Sequence, residues 1–406
     1  MSKKNGVCMA FDHALCISAW GSINPCCSTS ADVSQLTQEI NLVEYWKNDK
    51  HLNDLREEEY FGSEWLYPCD TCERKSRNGL ISRKDKFTRL FPIYQELPLG
   101  SVVHFDINLG NLCNQQCIMC NSNYSSKWLK DDIEFYQNNS NEEVLKNRPE
   151  MLKFQNTSLS DKHIEELLEL VTPETKMVEL KGGEPLYNKN APYFLRSIRE
   201  RAPAAIIIIT TNGTRIGDDN IIELLNELND ARLLAATHVS VSIDGTGKLY
   251  EWIRGWEWDS IVHSIRTYLS RSTNKTFRLS YTSTIHNMNG YEDYYKFVLG
   301  LQDEFPEKEF IVNFSQMSTS PRMCSPLIAS KERKLRAMQQ LKNISSDQSC
   351  PIAGVDLFQR SVKSILNYYD KSLSYVRTNK DQYLTEIYHE RMVKIRGWDF
   401  GKEYLE

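Results

Sequence analysis

A group of three cysteines constrains this chain more than any other feature of its sequence. Cys113, Cys117 and Cys120 are spaced Cys-x3-Cys-x2-Cys and follow the strand candidate Val102–Ile107. Iron–sulfur clusters are held by cysteine thiolates, normally four for a [4Fe–4S] cluster. Three neighbouring thiolates would therefore leave one iron open to a ligand from outside the chain. A structural zinc site usually takes four protein ligands, so this segment fits zinc poorly.

The other cysteines also favour metal or redox chemistry over disulfides. The chain has 406 residues and 11 cysteines, an odd number, and its N-terminus lacks the apolar core of a secretory signal. No apolar run reaches the roughly 18 residues that a membrane-spanning helix needs. We therefore expect a soluble, cytoplasmic protein without a membrane partner. The net charge of −5 argues against a protein built to coat nucleic acid.

Beyond residue 98, short apolar runs alternate with helical patterns. This alternation predicts βαβ units and a parallel sheet in an α/β fold. Six units predict a partial (β/α)6 barrel of the TIM type, in which active sites lie at the C-terminal ends of the strands. We expect a cysteine-rich domain at residues 1–98, the partial barrel at 99–318 and a C-terminal helical extension at 319–406. The predicted strands are Val102–Ile107, Met177–Leu180, Ala205–Thr210, His238–Ile243, Arg278–Thr284 and Phe310–Phe314.

The segment with Cys113, Cys117 and Cys120 resembles the radical S-adenosylmethionine (SAM) superfamily. In that family the three cysteines hold a [4Fe–4S] cluster whose remaining iron binds SAM. One electron from the cluster cleaves SAM to a 5′-deoxyadenosyl radical, which abstracts hydrogen from the substrate. The family usually has an aromatic residue before the third cysteine, where this chain has Met119. A flexible apolar side chain can cover a cluster similarly.

Four later segments match the family in order: KGGEPL, TTNGT, VSVSIDG and LYEWIRG, in which Tyr250 and Arg254 form a Y-x3-R pattern. Alone, a Gly-Gly pair is typical of a turn, and the alternative for Arg254 is an ordinary surface helix residue. Together, the matches imply that the glycines and Glu184 approach the methionyl amino group, and that Arg254 meets the carboxylate. Ser242 and Asp244 resemble the ribose and methionine contacts. The predicted SAM-binding residues are Gly182, Gly183, Glu184, Pro185, Asn212, Ser242, Asp244 and Arg254.

A second set of cysteines lies near the N-terminus in the pattern Cys-x12-Gly-x4-Cys, followed by Cys-x2-Cys. Four thiolates complete a [4Fe–4S] cluster or a zinc site. The pattern resembles the auxiliary-cluster half-domain called twitch, or the first part of the SPASM domain, here placed before the barrel. The resemblance implies a second [4Fe–4S] cluster, with a zinc ribbon as the alternative. The implied ligands are Cys8, Cys26, Cys69 and Cys72.

Several other features of the N-terminal region have simpler interpretations. Cys27 is an alternative to its neighbour Cys26, whereas the isolated Cys16, Cys324 and Cys350 are expected to pack as small apolar residues. The segment Glu44–Arg56 predicts a polar helix, and Gly21–Pro25 predicts a turn. The basic segment Arg74–Arg89 is interpreted as a solvated strip, with recruitment of an acidic peptide, a phosphorylated molecule or RNA as the alternative.

The resemblance predicts an enzyme, in which no residue is yet assigned to catalysis itself. Relatives with twitch or SPASM domains mostly modify peptides or proteins, which favours a peptide or protein side chain as substrate. Dehydrogenation or rearrangement of a sugar, aminocyclitol or nucleotide is the alternative. A non-catalytic, metal-stabilised scaffold is the alternative of another class. The auxiliary cluster would accept an electron or bind the substrate, and an electron donor such as flavodoxin or ferredoxin is implied.

Overall fold

The computed structural model describes residues 8–29, 33–61, 69–77, 82–90, 97, 100–146, 148–149, 159–229, 236–316, 322–347 and 355–400. Among them, nine strands form one sheet of order β3-β2-β1-β4-β5-β6-β7-β8-β9. The strands are β1 (Ala14–Ile17), β2 (Ser22–Asn24), β3 (Ser34–Gln35), β4 (His104–Asn108), β5 (Met177–Lys181), β6 (Ile206–Thr211), β7 (Thr237–Ser242), β8 (Thr276–Ser283) and β9 (Glu309–Gln316).

Helices separate the strands along the chain. They are α1 (Ala10–His13), α2 (Leu42–Asn48), α3 (Lys50–Phe61), α4 (Asp70–Arg77), α5 (Arg83–Leu90), α6 (Leu129–Gln137), α7 (Glu142–Leu145), α8 (Asp161–Leu170), α9 (Ala191–Arg201), α10 (Asp219–Leu228), α11 (Gly247–Arg254), α12 (Trp258–Arg271), α13 (Tyr291–Glu304), α14 (Lys331–Ser345), α15 (Val355–Ser372) and α16 (Asn379–Arg396). Within the described residues, no helix is both long and apolar enough to cross a membrane.

The predicted fold class is confirmed. All six predicted strands are present as β4 to β9, and their ends differ from the predicted ones by at most two residues. The α/β class with a mostly parallel sheet agrees with the predicted partial barrel. The helical pattern expected beyond residue 318 is confirmed by α14, α15 and α16.

Contacts divide the chain into two compact units. The first unit comprises Met1–Leu112, Phe154–Ile209 and Leu228–Thr237, and the second comprises Cys113–Lys153, Thr210–Glu227 and His238–Glu406. In the first unit, β1 pairs in parallel with β4, and β4 pairs in parallel with β5. The antiparallel strands β2 and β3 continue outward from β1. Sequence analysis missed these three strands because each is four residues or shorter and shows no periodicity.

Two local predictions in the N-terminal region were partly wrong. The predicted turn at Gly21–Pro25 lies earlier, since Ser22–Asn24 is a strand and the Gly21 N–H donates to the Ser18 carbonyl at 3.0 Å. The predicted single helix at Glu44–Arg56 is interrupted at Asp49, which is extended. The Asp49 carboxylate accepts the Leu52 N–H at 2.8 Å and so caps α3.

In the second unit, β8 pairs in parallel with β7 on one side and with β9 on the other. The side chains of β8 alternate, with Phe277, Leu279 and Tyr281 buried and the intervening polar residues half-buried. Two helices that bear on the site end at glycines with positive φ. Gly255 ends α11 with φ 64°, and Gly397 ends α16 with φ 75°.

Candidate active site

The three clustered cysteines lie in the second unit, on the loop that precedes α6. The loop backbone is fixed by side chains that follow it: the Trp128 indole donates to the Cys117 carbonyl at 3.1 Å, and the Ser125 hydroxyl donates to the Gln115 carbonyl at 2.6 Å. The Ile118 N–H donates to the Ile253 carbonyl in α11 at 2.8 Å. The structure therefore holds the thiol-bearing loop against the helix that ends in Arg254.

Arg254 connects the loop to the segment after β7. Its Nη1 donates to Cys117 Sγ at 3.4 Å, and its Nη2 lies 2.6 Å from Asp244 Oδ2. Asp244 in turn accepts the Thr282 N–H at 2.6 Å, and its carbonyl accepts from the Asn287 amide at 2.8 Å. Sequence analysis missed Thr282 and Asn287, because a single sequence does not show which residues hydrogen-bond to Asp244.

The surroundings of Cys117 favour its thiolate form. A hydrogen bond with Cys120 and the positive charge of Arg254 lower the pKa of the Cys117 thiol to about 6, although burial acts in the opposite direction. Cys117 is only 4% exposed. A buried thiolate is the form that binds iron, and its burial keeps water away from the site.

Asn212 also reaches the cysteine loop. Its Nδ2 lies 3.9 Å from Cys113 Sγ and donates to Asn114 Oδ1 at 2.8 Å. Asn114 donates to the Thr214 hydroxyl at 2.8 Å, so two amides link the loop to the segment after β6. Ser242 is half-buried at the end of β7, two residues before Asp244. The second unit thus brings the three cysteines together with Asn212, Asp244 and Arg254.

Gly182 to Pro185 belong to the first unit and follow β5. Gly183 has φ 55°, and a Cβ there would lie 2.5 Å from the Leu112 carbonyl oxygen. A Cβ on Gly182 would lie 1.6 Å from Asn108 Oδ1. The buried Glu184 donates its N–H to the same Leu112 carbonyl at 2.8 Å, and its carboxylate accepts the Leu186 N–H at 3.1 Å. Glycine is therefore favoured at both positions by a positive φ, and in addition by the close backbone at Gly183 and by the Asn108 side chain at Gly182.

The N-terminal cysteines Cys8, Cys26, Cys69 and Cys72 line one pocket of the first unit, which is partly open to solvent. Cys8 and Cys72 are buried, and apolar side chains such as Phe11 pack around the pocket. Cys27 does not line this pocket but a neighbouring one, which Cys26 also lines. Among the described residues, no three His, Cys, Asp or Glu side chains converge closely enough for a single metal ion.

The remaining predicted cysteines are placed as follows. Cys16 is buried on β1, as expected of a small apolar residue, and Cys324 is fully buried. The Cys324 thiol donates to the Ile118 carbonyl at 3.4 Å. Cys350 lies outside the described residues.

Sequence analysis missed a partly buried cluster of ionisable side chains, which lie on β4, β5 and the start of α5. Lys181 Nζ lies 2.7 Å from Asp106 Oδ2, while Arg83 Nη2 and His104 Nε2 each lie 3.0 Å from Glu179 Oε1. Burial raises the pKa of Asp106 to about 7, although Lys181 opposes this shift. The sequence did contain a sign of this cluster, because polar residues occupy alternate positions of β4 and therefore share one face of the sheet.

The interpretation of Arg74–Arg89 as a solvated basic strip is correct only in part. Arg74, Lys75 and Arg77 are exposed, but the Arg83 side chain is only 22% exposed and pairs with Glu179. The ion pair lies on the sheet, so Arg83 does not contribute to a surface patch for nucleic acid.

Residues 107–298 match the model of the radical SAM superfamily. This part of the chain, a little under half of its length, is therefore similar to a radical SAM domain, which supports an enzyme. Its reaction subclass is not defined by the match. The sequence matches no curated protein.

Three solved structures are similar to the chain at low sequence identity. SuiB of Streptococcus suis bound to the precursor peptide SuiA has 13% identity and a TM-score of 0.39, over 72% of this chain and 54% of SuiB. SuiB bound to S-adenosylmethionine has 13% identity and a TM-score of 0.35, over 72% and 53%. TYW1 with a lysine-pyruvate adduct bound has 14% identity and a TM-score of 0.31, over 59% and 71%. The chain thus spans about half the length of the SuiB chains.

Proposed function

We propose that this protein cleaves SAM reductively and abstracts hydrogen from a peptide or protein side chain. When bound, a [4Fe–4S] cluster on Cys113, Cys117 and Cys120 supplies the electron, and SAM supplies the 5′-deoxyadenosyl radical. The observation that carries this proposal is Arg254, which contacts both Cys117 and Asp244 in a buried site.

The residues around the loop have distinct proposed roles. Arg254 favours the Cys117 thiolate and, through its planar fork, is suited to the methionyl carboxylate of SAM. Asp244 orients that guanidinium, and Thr282 and Asn287 hold Asp244 in place. The Asn212 amide and the Ser242 hydroxyl supply polar contacts to SAM. Gly182, Gly183, Glu184 and Pro185 are proposed to bind the methionyl amino group, in keeping with the family resemblance.

Cys8, Cys26, Cys69 and Cys72 are proposed to hold an auxiliary [4Fe–4S] cluster. The shared pocket supports Cys26 over Cys27 as the fourth ligand. Because four protein thiolates leave no iron open, we favour electron acceptance over substrate binding for this cluster. The proposed domain at residues 1–98 serves this role, residues 99–318 carry the SAM chemistry, and residues 319–406 form the helical extension. An external donor such as flavodoxin or ferredoxin would reduce the SAM cluster.

The first experiment is anaerobic reconstitution with iron and sulfide, followed by SAM and dithionite. We expect about eight irons per chain, as two [4Fe–4S] clusters require, and formation of 5′-deoxyadenosine. Replacing Cys113, Cys117 and Cys120 with Ala should abolish the product, whereas Cys324→Ala, a buried cysteine of the same unit, should retain it. A fully loaded protein that makes no deoxyadenosine would instead be a metal-stabilised scaffold.

A second assay separates the two substrate classes. A mass change on a co-expressed peptide supports the proposed substrate. Turnover of a free sugar, aminocyclitol or nucleotide, with no change in the peptide, supports the small-metabolite alternative.

A further inference from the structure

The last helix of the chain contacts the cysteine loop directly. Arg396, the final residue of α16, donates through Nη2 to the Gln116 carbonyl, between the first two cysteines. Its Nε donates to the Trp252 carbonyl at 3.0 Å. Trp252 lies in the last turn of α11, where backbone carbonyls have no partner within the helix. One guanidinium therefore joins the cysteine loop to the end of the helix that carries Arg254.

Gly255, which lies beside Arg396, has no side chain and so leaves room for this guanidinium. Gly255 ends α11, and a Cβ there would lie 2.7 Å from Arg396 Nη1 and 2.8 Å from Cζ. Gly255 also has φ 64°, so glycine both ends the helix and admits the arginine. A side chain at position 255 would displace Arg396 without removing it.

Two further side chains of α16 also connect this helix to the cysteine loop. The buried Tyr388 hydroxyl donates to the Ile118 carbonyl at 2.5 Å. Arg391 Nη2 lies 2.6 Å from Asp132 Oδ1, and the other oxygen of this fully buried carboxylate accepts the Ser122 N–H at 2.7 Å. Residues on both sides of Cys117 and Cys120 are thus tied to one helix that sequence analysis left without a role.

We infer that Arg396 is a positioning residue for the iron-binding loop, and that its charge also acts on the cluster. It fixes the backbone next to Cys117 and keeps that thiol beside Arg254. Its half-buried positive charge interacts with Cys117, and cationic surroundings raise the reduction potential of an iron–sulfur cluster. The positioning role follows from the apoprotein contacts alone; only the effect on the potential rests on the proposed function.

The positioning role is tested on the full-length apoprotein by amide hydrogen exchange. In Arg396→Met, peptides that cover residues 114–122 should exchange about tenfold faster, the effect of losing one charge-assisted hydrogen bond. Peptides from β8 and β9 should be unchanged. Gly255→Ala should produce the same local increase. The matched control is Lys394→Met on the same helix, because Lys394 pairs at the surface with Glu134 and is 77% exposed.

The charge is tested on the reconstituted protein by a redox titration followed by electron paramagnetic resonance. The midpoint potential of the SAM cluster should fall in Arg396→Met and stay close to that of the parent in Arg396→Lys, which keeps the charge. Unchanged exchange at 114–122, or an equal increase in β8 and β9, would overturn the positioning role. Equal potentials in the Met variant and the parent would overturn the charge effect. If the parent forms no cluster, the proposed function fails while the exchange result still decides the positioning role.

Discussion

Arg254 and Asp244 form an ion pair with 2.6 Å between Nη2 and Oδ2, and the Asp244 side chain is fully buried. Burial raises the pKa of Asp244, and the charge of Arg254 opposes that shift. The carboxylate therefore depends on the arginine to remain charged. Because the same guanidinium also donates to Cys117, any change at this pair reaches the thiol that we assign to iron.

Removing the cation of this pair should destabilise the protein strongly. Arg254→Met leaves a buried carboxylate without its partner, which costs about 3–5 kcal/mol. Adding Asp244→Asn should recover much of that loss, since the buried charge is then gone. Urea unfolding of the apoproteins measures both values. Arg266→Met is the control, because Arg266 pairs with Glu304 at the surface and should change the unfolding free energy by about 1 kcal/mol or less. An Arg254→Met variant as stable as this control would contradict the prediction.

The candidate site could be proposed from sequence where its residues belong to short motifs. The cysteine spacing and the segments with Asn212, Asp244 and Arg254 are local patterns, and the fold brings these residues together in one unit. Strand periodicity likewise located β4 to β9. The role of Arg396 could not be predicted, because its hydrogen bond to Gln116 joins segments that are 280 positions apart in the chain. Single-sequence patterns hold no information on such long-range contacts.

The lowered pKa of Cys117 predicts how apoprotein stability changes with pH. In the folded apoprotein this pKa is about 6, whereas an unfolded cysteine titrates near 8.5. Between these values the unfolded chain binds more protons, so stability should rise with pH. The contribution is complete above the unfolded pKa and is lost as pH falls through about 6.

Urea unfolding of the reduced apoprotein from acidic to mildly basic pH checks this prediction. Cys117→Ala should show a shallower rise over the same range, whereas Cys324→Ala should keep the parent slope. The pKa of Cys324 is raised by burial, so that thiol stays protonated throughout. Parallel curves for the parent and Cys117→Ala would show that Cys117 is not held as a thiolate.

The two adjacent cysteines near the N-terminus should differ in their effect on iron content. Cys26 lines the pocket that Cys8, Cys69 and Cys72 also line, whereas Cys27 lines only the neighbouring pocket with Arg83 and Asp106. Cys26→Ser should therefore lose about four irons per chain, the content of one [4Fe–4S] cluster, and Cys27→Ser should retain them. Deoxyadenosine formation without substrate should persist in both variants. The reverse result would make Cys27 the ligand.

Two glycines with nearly the same φ angle should tolerate alanine very differently. Gly183 has φ 55° and Gly247 has φ 53°, so alanine at either position adopts an unfavourable left-handed backbone at a cost of about 1–2 kcal/mol. At Gly247 nothing lies within 4 Å of the added Cβ, so that cost should be the whole effect. At Gly183 the Cβ would lie 2.5 Å from the Leu112 carbonyl oxygen, and backbone must move to admit it. The difference in unfolding free energy between Gly183→Ala and Gly247→Ala, measured in urea, isolates the cost of that close approach. Equal losses of unfolding free energy would mean that the segment after β5 moves at little cost to admit the Cβ. Close packing would then not explain the glycine at position 183.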